Sequence, residues 1–123
     1  MRGGYAAFNA GEHGATRGWW HDDGEYVVAR EDPDSETHRG IDAITAQNLR
    51  WVESYPDLRV DPVEIRPNGN RVFVWVRFSG HGAGSDVPIE MELAHGCTIA
   101  DGRFKRIEEY FDRAEGLAAA GLD

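Results

Sequence analysis

The sequence predicts an α+β fold, and three observations carry that expectation. An apolar stripe at helical spacing, Ile41, Ile44, Leu49 and Val52, lies in the first half of the chain. Asn68-Gly69 and Asp101-Gly102 stand between strand-like runs, and such pairs suit tight hairpin turns that need positive φ. The helices precede a run of hairpin-linked strands instead of alternating with them, which argues against βαβ units. The 123 residues are read as one domain, 1–123, large enough for a single core.

Each element has its own justification. Tyr5-Ala6-Ala7-Phe8-Asn9-Ala10-Gly11 reads as the end of a helix stopped by Gly11. His13 to His21 is expected as a second short helix, with Trp19 and Trp20 packing over the core or its open end and Asp22-Asp23-Gly24 turning. Tyr26-Val27-Val28 marks a short strand over Glu25 to Arg30. Glu31 to Gly40, polar and holding Pro33, reads as a surface loop. The main helix runs from Ile41 to Glu53 and is ended by Pro56. Strands are expected over Leu58–Arg66, Arg71–Ser79, Val87–Ile99 and Arg103–Phe111. Gly80-x-Gly82-x-Gly84 spaces glycines like a phosphate loop, but a strand follows it, so no helix N-terminus is available for phosphate. Asp112, three residues before Glu115, reads as a capping box opening a last helix, Arg113 to Ala120, closed by Gly121.

Composition narrows the function. Thirteen Lys and Arg face 22 Asp and Glu, a net charge of −9, which argues against nucleic acid as a partner. No apolar run is long enough to span a membrane and no signal peptide opens the chain, so a cytoplasmic location is expected. A lone cysteine, Cys97, forms no internal disulfide and has no basic neighbour in sequence, so it reads as structural. The five histidines are scattered without metal-ligand spacing, and neither metal nor cofactor is expected. His95 alternates with Leu93 and Cys97. It reads as a satisfied sheet histidine, with a pocket base as the alternative.

Strand periodicity is two, so each strand offers two faces. Val72, Val74, Val76 and Phe78 form an apolar set opposite Phe73, Trp75, Arg77 and Ser79. Val87, Ile89, Met91, Leu93 and His95 oppose Pro88, Glu90, Glu92 and Ala94. Two arrangements follow. In one, the apolar sets face the helices and the charged sets face water, which composition favours. In the other, the apolar sets form a dimer interface and the mixed sets line a cavity under the helices.

Three stretches carry a family resemblance: the opening Tyr5 to Gly11, His38-Arg39-Gly40-Ile41, and Asp101-Gly102-Arg103 through Tyr110-Phe111-Asp112-Arg113-Ala114-Glu115 to Ala119-Ala120-Gly121-Leu122. Together they resemble the SnoaL-like, polyketide cyclase-like family of the nuclear transport factor 2-like superfamily. The resemblance implies a cone-shaped, strongly curved mixed or antiparallel sheet wrapped around about three helices, with an internal pocket. It implies homodimers through the outer sheet face. It also favours the second arrangement, with Ile107, Glu109 and Phe111 of the last strand pointing into the pocket. The same parity puts Trp75, Arg77, Glu92 and Ala94 there. The Tyr-x-Asn of related first strands stands here as Tyr26-Val27-Val28, without the Asn. Relatives carry a longer first helix, so either the helix is shortened here, which would leave a more open pocket mouth, or Met1 is not the natural start.

The function so implied is a pocket for a small hydrophobic, cyclic or carbonyl-containing molecule, with cofactor-free cyclase, isomerase or hydrolase-type chemistry. Glu109 is the candidate general acid/base and Arg77 the candidate stabiliser of an enolate or alkoxide. Phe73, Trp75, Phe111, Ile107, Glu92 and Tyr26 are the candidate ligand contacts. Two departures from the related enzymes stand out. No Asp lies two residues from Arg77, as epoxide hydrolase chemistry needs, and the position of the ketosteroid isomerase oxyanion-hole Asp is Ala94. The plain alternative is an Arg77–Glu109 or Arg77–Glu92 ion pair buried without catalytic duty. A non-catalytic ligand-binding or dimerisation domain remains the other reading.

Overall fold

The computed structural model describes residues 2–12, 18–32 and 36–122. In chain order its elements are α1 (Arg2–Asn9), β1 (Trp20–Val27), β2 (Thr37–Arg39), α2 (Ile41–Ser54), β3 (Arg59–Asn68), β4 (Arg71–His81), β5 (Pro88–Ala100), β6 (Arg103–Tyr110) and α3 (Arg113–Ala119). The six strands form one open sheet in the order β2-β1-β6-β5-β4-β3. It is a mixed sheet: β1 runs parallel to β6, and every other pair is antiparallel.

The turn chemistry explains the meander. At Asp101 and Gly102 φ is 52° and 75°, the double left-handed conformation of a type I′ hairpin. The β3–β4 turn is centred one residue later than expected, on Gly69-Asn70, because Asn68 already pairs with Arg71. Only Gly69 of that pair has positive φ, 64°, so glycine takes the first central position.

Two expected elements change. Residues 13–17 of the expected second helix lie outside the described residues, and Trp20 and His21 belong to β1. Within the expected loop 31–40, Thr37–Arg39 is an edge strand antiparallel to β1. Residues 33–35 lie outside the described residues.

The register settles which face is which. Val74 pairs with His95, which pairs with Glu109; Trp75 pairs with Ala94, which pairs with Tyr110. Directly paired residues share a face. The inner face therefore carries Val72, Val74, Val76 and Phe78, with Leu93, His95, Cys97, Ile107 and Glu109. All of these are buried. The valine set thus faces the helices, as composition favoured, and is no dimer interface. A register shift leaves Lys105 as an extra residue in β6, so Phe104 and Ile107 both turn inward.

Helices α1 and α2 cover this inner face, through Tyr5 against His95 and through Ile41, Ile44 and Trp51 against the sheet. The inward stripe of α2 is Ile41, Ile44, Gln47 and Trp51; Leu49, expected within it, is 53% exposed. Helix α3 lies on the opposite, outer face, where Phe73, Ala94 and Ala120 form a second small core. Gly116 lets it approach: a Cβ there would overlap the Ala94 methyl and stand 3.3 Å from the Phe73 ring. The Asp112 side chain caps α3 by accepting from Ala114 N at 2.8 Å. Its last carbonyls are taken by Arg71, 2.6 Å from Ala119 O, and Asn68, 2.8 Å from Ala120 O.

Candidate functional site

A cleft of about 570 Å³ opens between α2, the segment after β1 and the inner ends of β4–β6. Its apolar walls include Trp51, Tyr55, Leu58, Phe78, Leu93 and Phe111. Glu109 enters from β6 and is 7% exposed. The first turn beyond β1 supplies a backbone donor, Ala29 N–H, 3.3 Å from Glu109 Oε1. Tyr26, on β1 beside β6, donates its hydroxyl proton to Oε2. Burial raises the Glu109 carboxyl above its ordinary value, and the charge of Asp32 adds to this; the bonds from Tyr26 and Ala29 oppose it. The net effect is upward, which moves the group toward the range where it can both take and return a proton.

A second, smaller chamber of about 80 Å³ lies behind the cleft, lined among others by Tyr5, Trp20, Tyr26, His95 and Phe104. Trp51 and Phe78 border both spaces. Edge-to-face packing of Trp51 on Tyr26 and on Phe78, with centroids 5.5 and 6.0 Å apart, makes the partition. His95 stands behind it, 3% exposed, and burial pushes its imidazole down to about 3. At neutral pH it is uncharged. Cys97, two residues on, is fully buried with its thiol pushed up to about 12, so it is not a thiolate nucleophile.

Of the residues singled out in the sequence, Glu109, Phe111, Ile107 and Tyr26 stand on the inner side. Glu109 and Phe111 line the cleft, and Ile107 and Tyr26 the small chamber. Phe73, Trp75, Arg77 and Glu92 do not join them. They lie on the outer face with Ala94, which also removes the correspondence between Ala94 and a pocket acid. The cause is a one-residue offset in pairing: Glu109 stands opposite His95, not Ala94, and a single step exchanges the faces. Phe73 is fully buried under α3, with the Arg113 guanidinium 5.0 Å from its ring centre. Trp75 donates to Glu92, and Arg77 lies 3.5 Å from Glu92 and 3.9 Å from Glu90. The Arg77–Glu92 ion pair exists, but at a half-exposed surface, and Arg77 does not meet Glu109.

Gln47 was not foreseen. It lines the cleft from α2, and its buried Oε1 is without a hydrogen-bond partner among the described residues. The available signal was its position: a polar residue three after Ile44 and four before Trp51, on the stripe that packs inward. Among the described residues, no cluster of three His, Cys, Asp or Glu could hold a metal ion.

Residues 1–107 match the family model of the SnoaL-like domain. The chain belongs to the SnoaL-like family. Solved structures of the same fold agree with this. One is a protein with a ketosteroid isomerase-like fold from Catenulispora acidiphila, in complex with trimethylamine. It is 20% identical, with a TM-score of 0.77 over 97% of this chain and 89% of that one. TerC, co-crystallised with polyporic acid, is 21% identical, with a TM-score of 0.74 over 95% of this chain and 92% of that one. A protein assigned to the SnoaL-like polyketide cyclases, from a Jannaschia species, is 18% identical, with a TM-score of 0.71 over 95% and 88%. At these identities the likeness shows a shared fold. No curated protein matches the chain. Membership in the family makes this a pocket protein of the SnoaL-like kind. Among the described residues no helix is long and apolar enough to cross a membrane.

Proposed function

We propose that the protein acts on a small hydrophobic molecule, cyclic or carbonyl-bearing, with Glu109 as general acid/base and without a cofactor. The observation that carries this reading is the setting of Glu109: one buried carboxyl, raised by burial, at the wall of an aromatic cleft large enough for a ligand of two or three rings. A carboxylate so placed takes a proton from a carbon next to a carbonyl, and the resulting acid returns it elsewhere on the same molecule. That cycle serves isomerisation or aldol-type ring closure. Gln47 supplies a polar contact, since its amide oxygen, without a partner among the described residues, accepts from a hydroxyl or amine of the ligand. Arg77 has no part in this proposal because it lies on the other face.

Proton exchange tests the reading. Flat ketones and phenolic polyketide fragments, incubated with the protein in D2O, are expected to exchange α-hydrogens faster than in buffer. Glu109→Gln is expected to lower the exchange rate at least about 100-fold, the usual weight of a positioned acid/base. Full exchange in the variant would remove Glu109 from the chemistry. A ligand that binds in the cleft but exchanges nothing would favour the alternative, a binding protein. That reading has support of its own, since the single phenolic proton of Tyr26 is already committed to Glu109.

The same reading includes a cytoplasmic homodimer through the outer sheet face. Ion pairs such as Arg106–Glu25, at 2.9 Å, and Arg113–Glu64, at 2.8 Å, populate that face. Light scattering is expected to show a dimer, because these pairs are closed within one chain and leave the face free to meet a second copy. A monomer at every ionic strength would remove the dimer from the proposal.

A further inference from the structure

Behind Glu109 stands a line of buried polar side chains drawn from four elements. Tyr5 of α1 is 6% exposed, Tyr26 of β1 5%, His95 of β5 3% and Glu109 of β6 7%. Tyr5 Oη lies 2.8 Å from His95 Nδ1, and Tyr26 Oη lies 3.2 Å from His95 Nε2. Tyr26 donates in turn to Glu109 Oε2. Helix α1 contributes no lining residue to the cleft, yet this line connects it to the carboxyl.

The proton inventory of the line has one consistent solution when Glu109 is ionised. A carboxylate only accepts, and a phenol has one proton to give. The Tyr26 proton is therefore committed to Glu109, and Tyr26 Oη can only accept from His95. A neutral imidazole carries one N–H, so that proton sits on Nε2 and leaves Nδ1 bare. Tyr5 must then donate to Nδ1. Its own oxygen is left to accept. In the opposite tautomer, a bare Nε2 would compete with Glu109 for the one phenolic proton of Tyr26.

We infer that Tyr5 and His95 are positioning residues for Glu109: Tyr5 holds His95 in its Nε2–H tautomer, and that N–H turns the Tyr26 proton onto the carboxylate. The functional weight of this rests on the reading of Glu109 as acid/base; the hydrogen-bond line itself does not. Other groups also face these residues. Around the cleft they are Asp32, Glu36, His38, Arg50, Tyr55 and Glu90, and around the small chamber Glu12. All of them remain unchanged in the variants below, so a shift seen there belongs to the line.

The test needs no substrate. Long-range ¹H–¹⁵N spectra of the full chain labelled at histidine report which ring nitrogen carries the proton. At pH 7 His95 is expected as the Nε2–H tautomer. The Glu109 carboxyl is then titrated by ¹³C chemical shift in three proteins. His95→Leu removes the donor and is expected to move the midpoint up by about one pH unit. His95→Gln, whose amide offers both a donor and an acceptor, is expected to restore most of the original midpoint. An Nδ1–H tautomer or an imidazolium at pH 7 would overturn the inference. So would a folded His95→Leu protein with an unmoved midpoint. Should the variants not fold, the tautomer in the unaltered chain still decides. Failure here leaves Glu109 free to act as acid/base, whereas unimpaired exchange in Glu109→Gln sinks the acid/base reading and leaves the tautomer result standing.

Discussion

At the residue scale, the site is a set of polar groups held largely out of water, and each leaves a trace in stability. The folded-state carboxyl of Glu109 is raised by burial, so its contribution to stability is complete below the ordinary carboxylate range and is lost as pH rises through its folded value. Ionised Glu109 therefore weakens the fold at neutral pH. Glu109→Gln is expected to melt higher than the parent at pH 7, with the advantage shrinking toward pH 4; thermal melts across that range check it. Gln47 behaves alike, because its buried Oε1 lacks a partner among the described residues. Gln47→Leu is expected to stabilise the empty protein by about 1 kcal/mol, since an unsatisfied buried acceptor costs about 1–3 kcal/mol. The same change is expected to weaken any ligand that donates to the amide. Denaturant unfolding and ligand titration of the one variant read both effects.

At the element scale, α3 shows how a single atom positions a helix. Gly116 sits against Ala94 and Phe73 with no room for a methyl group. Gly116→Ala gains helix propensity but forces α3 off the outer face, and the overpacking is expected to cost about 1–3 kcal/mol. Adding Ala94→Gly is expected to recover most of the loss, a coupling that a double-mutant cycle in denaturant would show. Helix α3 and its cap were legible in the sequence, because Asp112 and Gly121 are local signals that act within one turn. The side of the sheet that α3 covers was not. It depends on Ala94 and Gly116, which are small residues with no local meaning, distant in sequence from Phe73. Strand β2 was missed for a related reason. Three residues carry too little periodicity, and Thr37–Arg39 becomes a strand through its pairing with β1.

At the scale of the whole molecule, the buried histidine ties the fold to pH. The His95 imidazole falls to about 3 in the folded protein against 6.5 for an ordinary histidine, and desolvation is the cause. A group depressed in this way contributes stability that is present above 6.5 and is lost as pH falls toward the folded value. The acid limb is therefore expected to begin near pH 6, well above the carboxylates, with a slope of about 1.4 kcal/mol per pH unit from His95 alone. Burial lowers His38 as well, which adds in the same direction. His95→Gln is expected to flatten the limb between pH 6 and pH 4 in urea unfolding; an unchanged limb would place the acid sensitivity elsewhere.

By itself the sequence determined the local events: the Asp101-Gly102 turn, the body of α2, the four long strands, the cap of α3 and the family. The family resemblance, not the strand pattern, implied Glu109 and Phe111 on the pocket side. These follow from interactions within a few residues, or from a pattern spread along the whole chain. Only the tertiary structure decided which residues of the neighbouring strands share a face with Glu109. Trp75 and Arg77 alternate as plausibly as Val74 and Val76, and a one-residue step in the β5–β6 register separates a pocket with an arginine from one with a histidine. That step was decided by burial. The valine set had to meet α1 and α2, and His95 came inward with it.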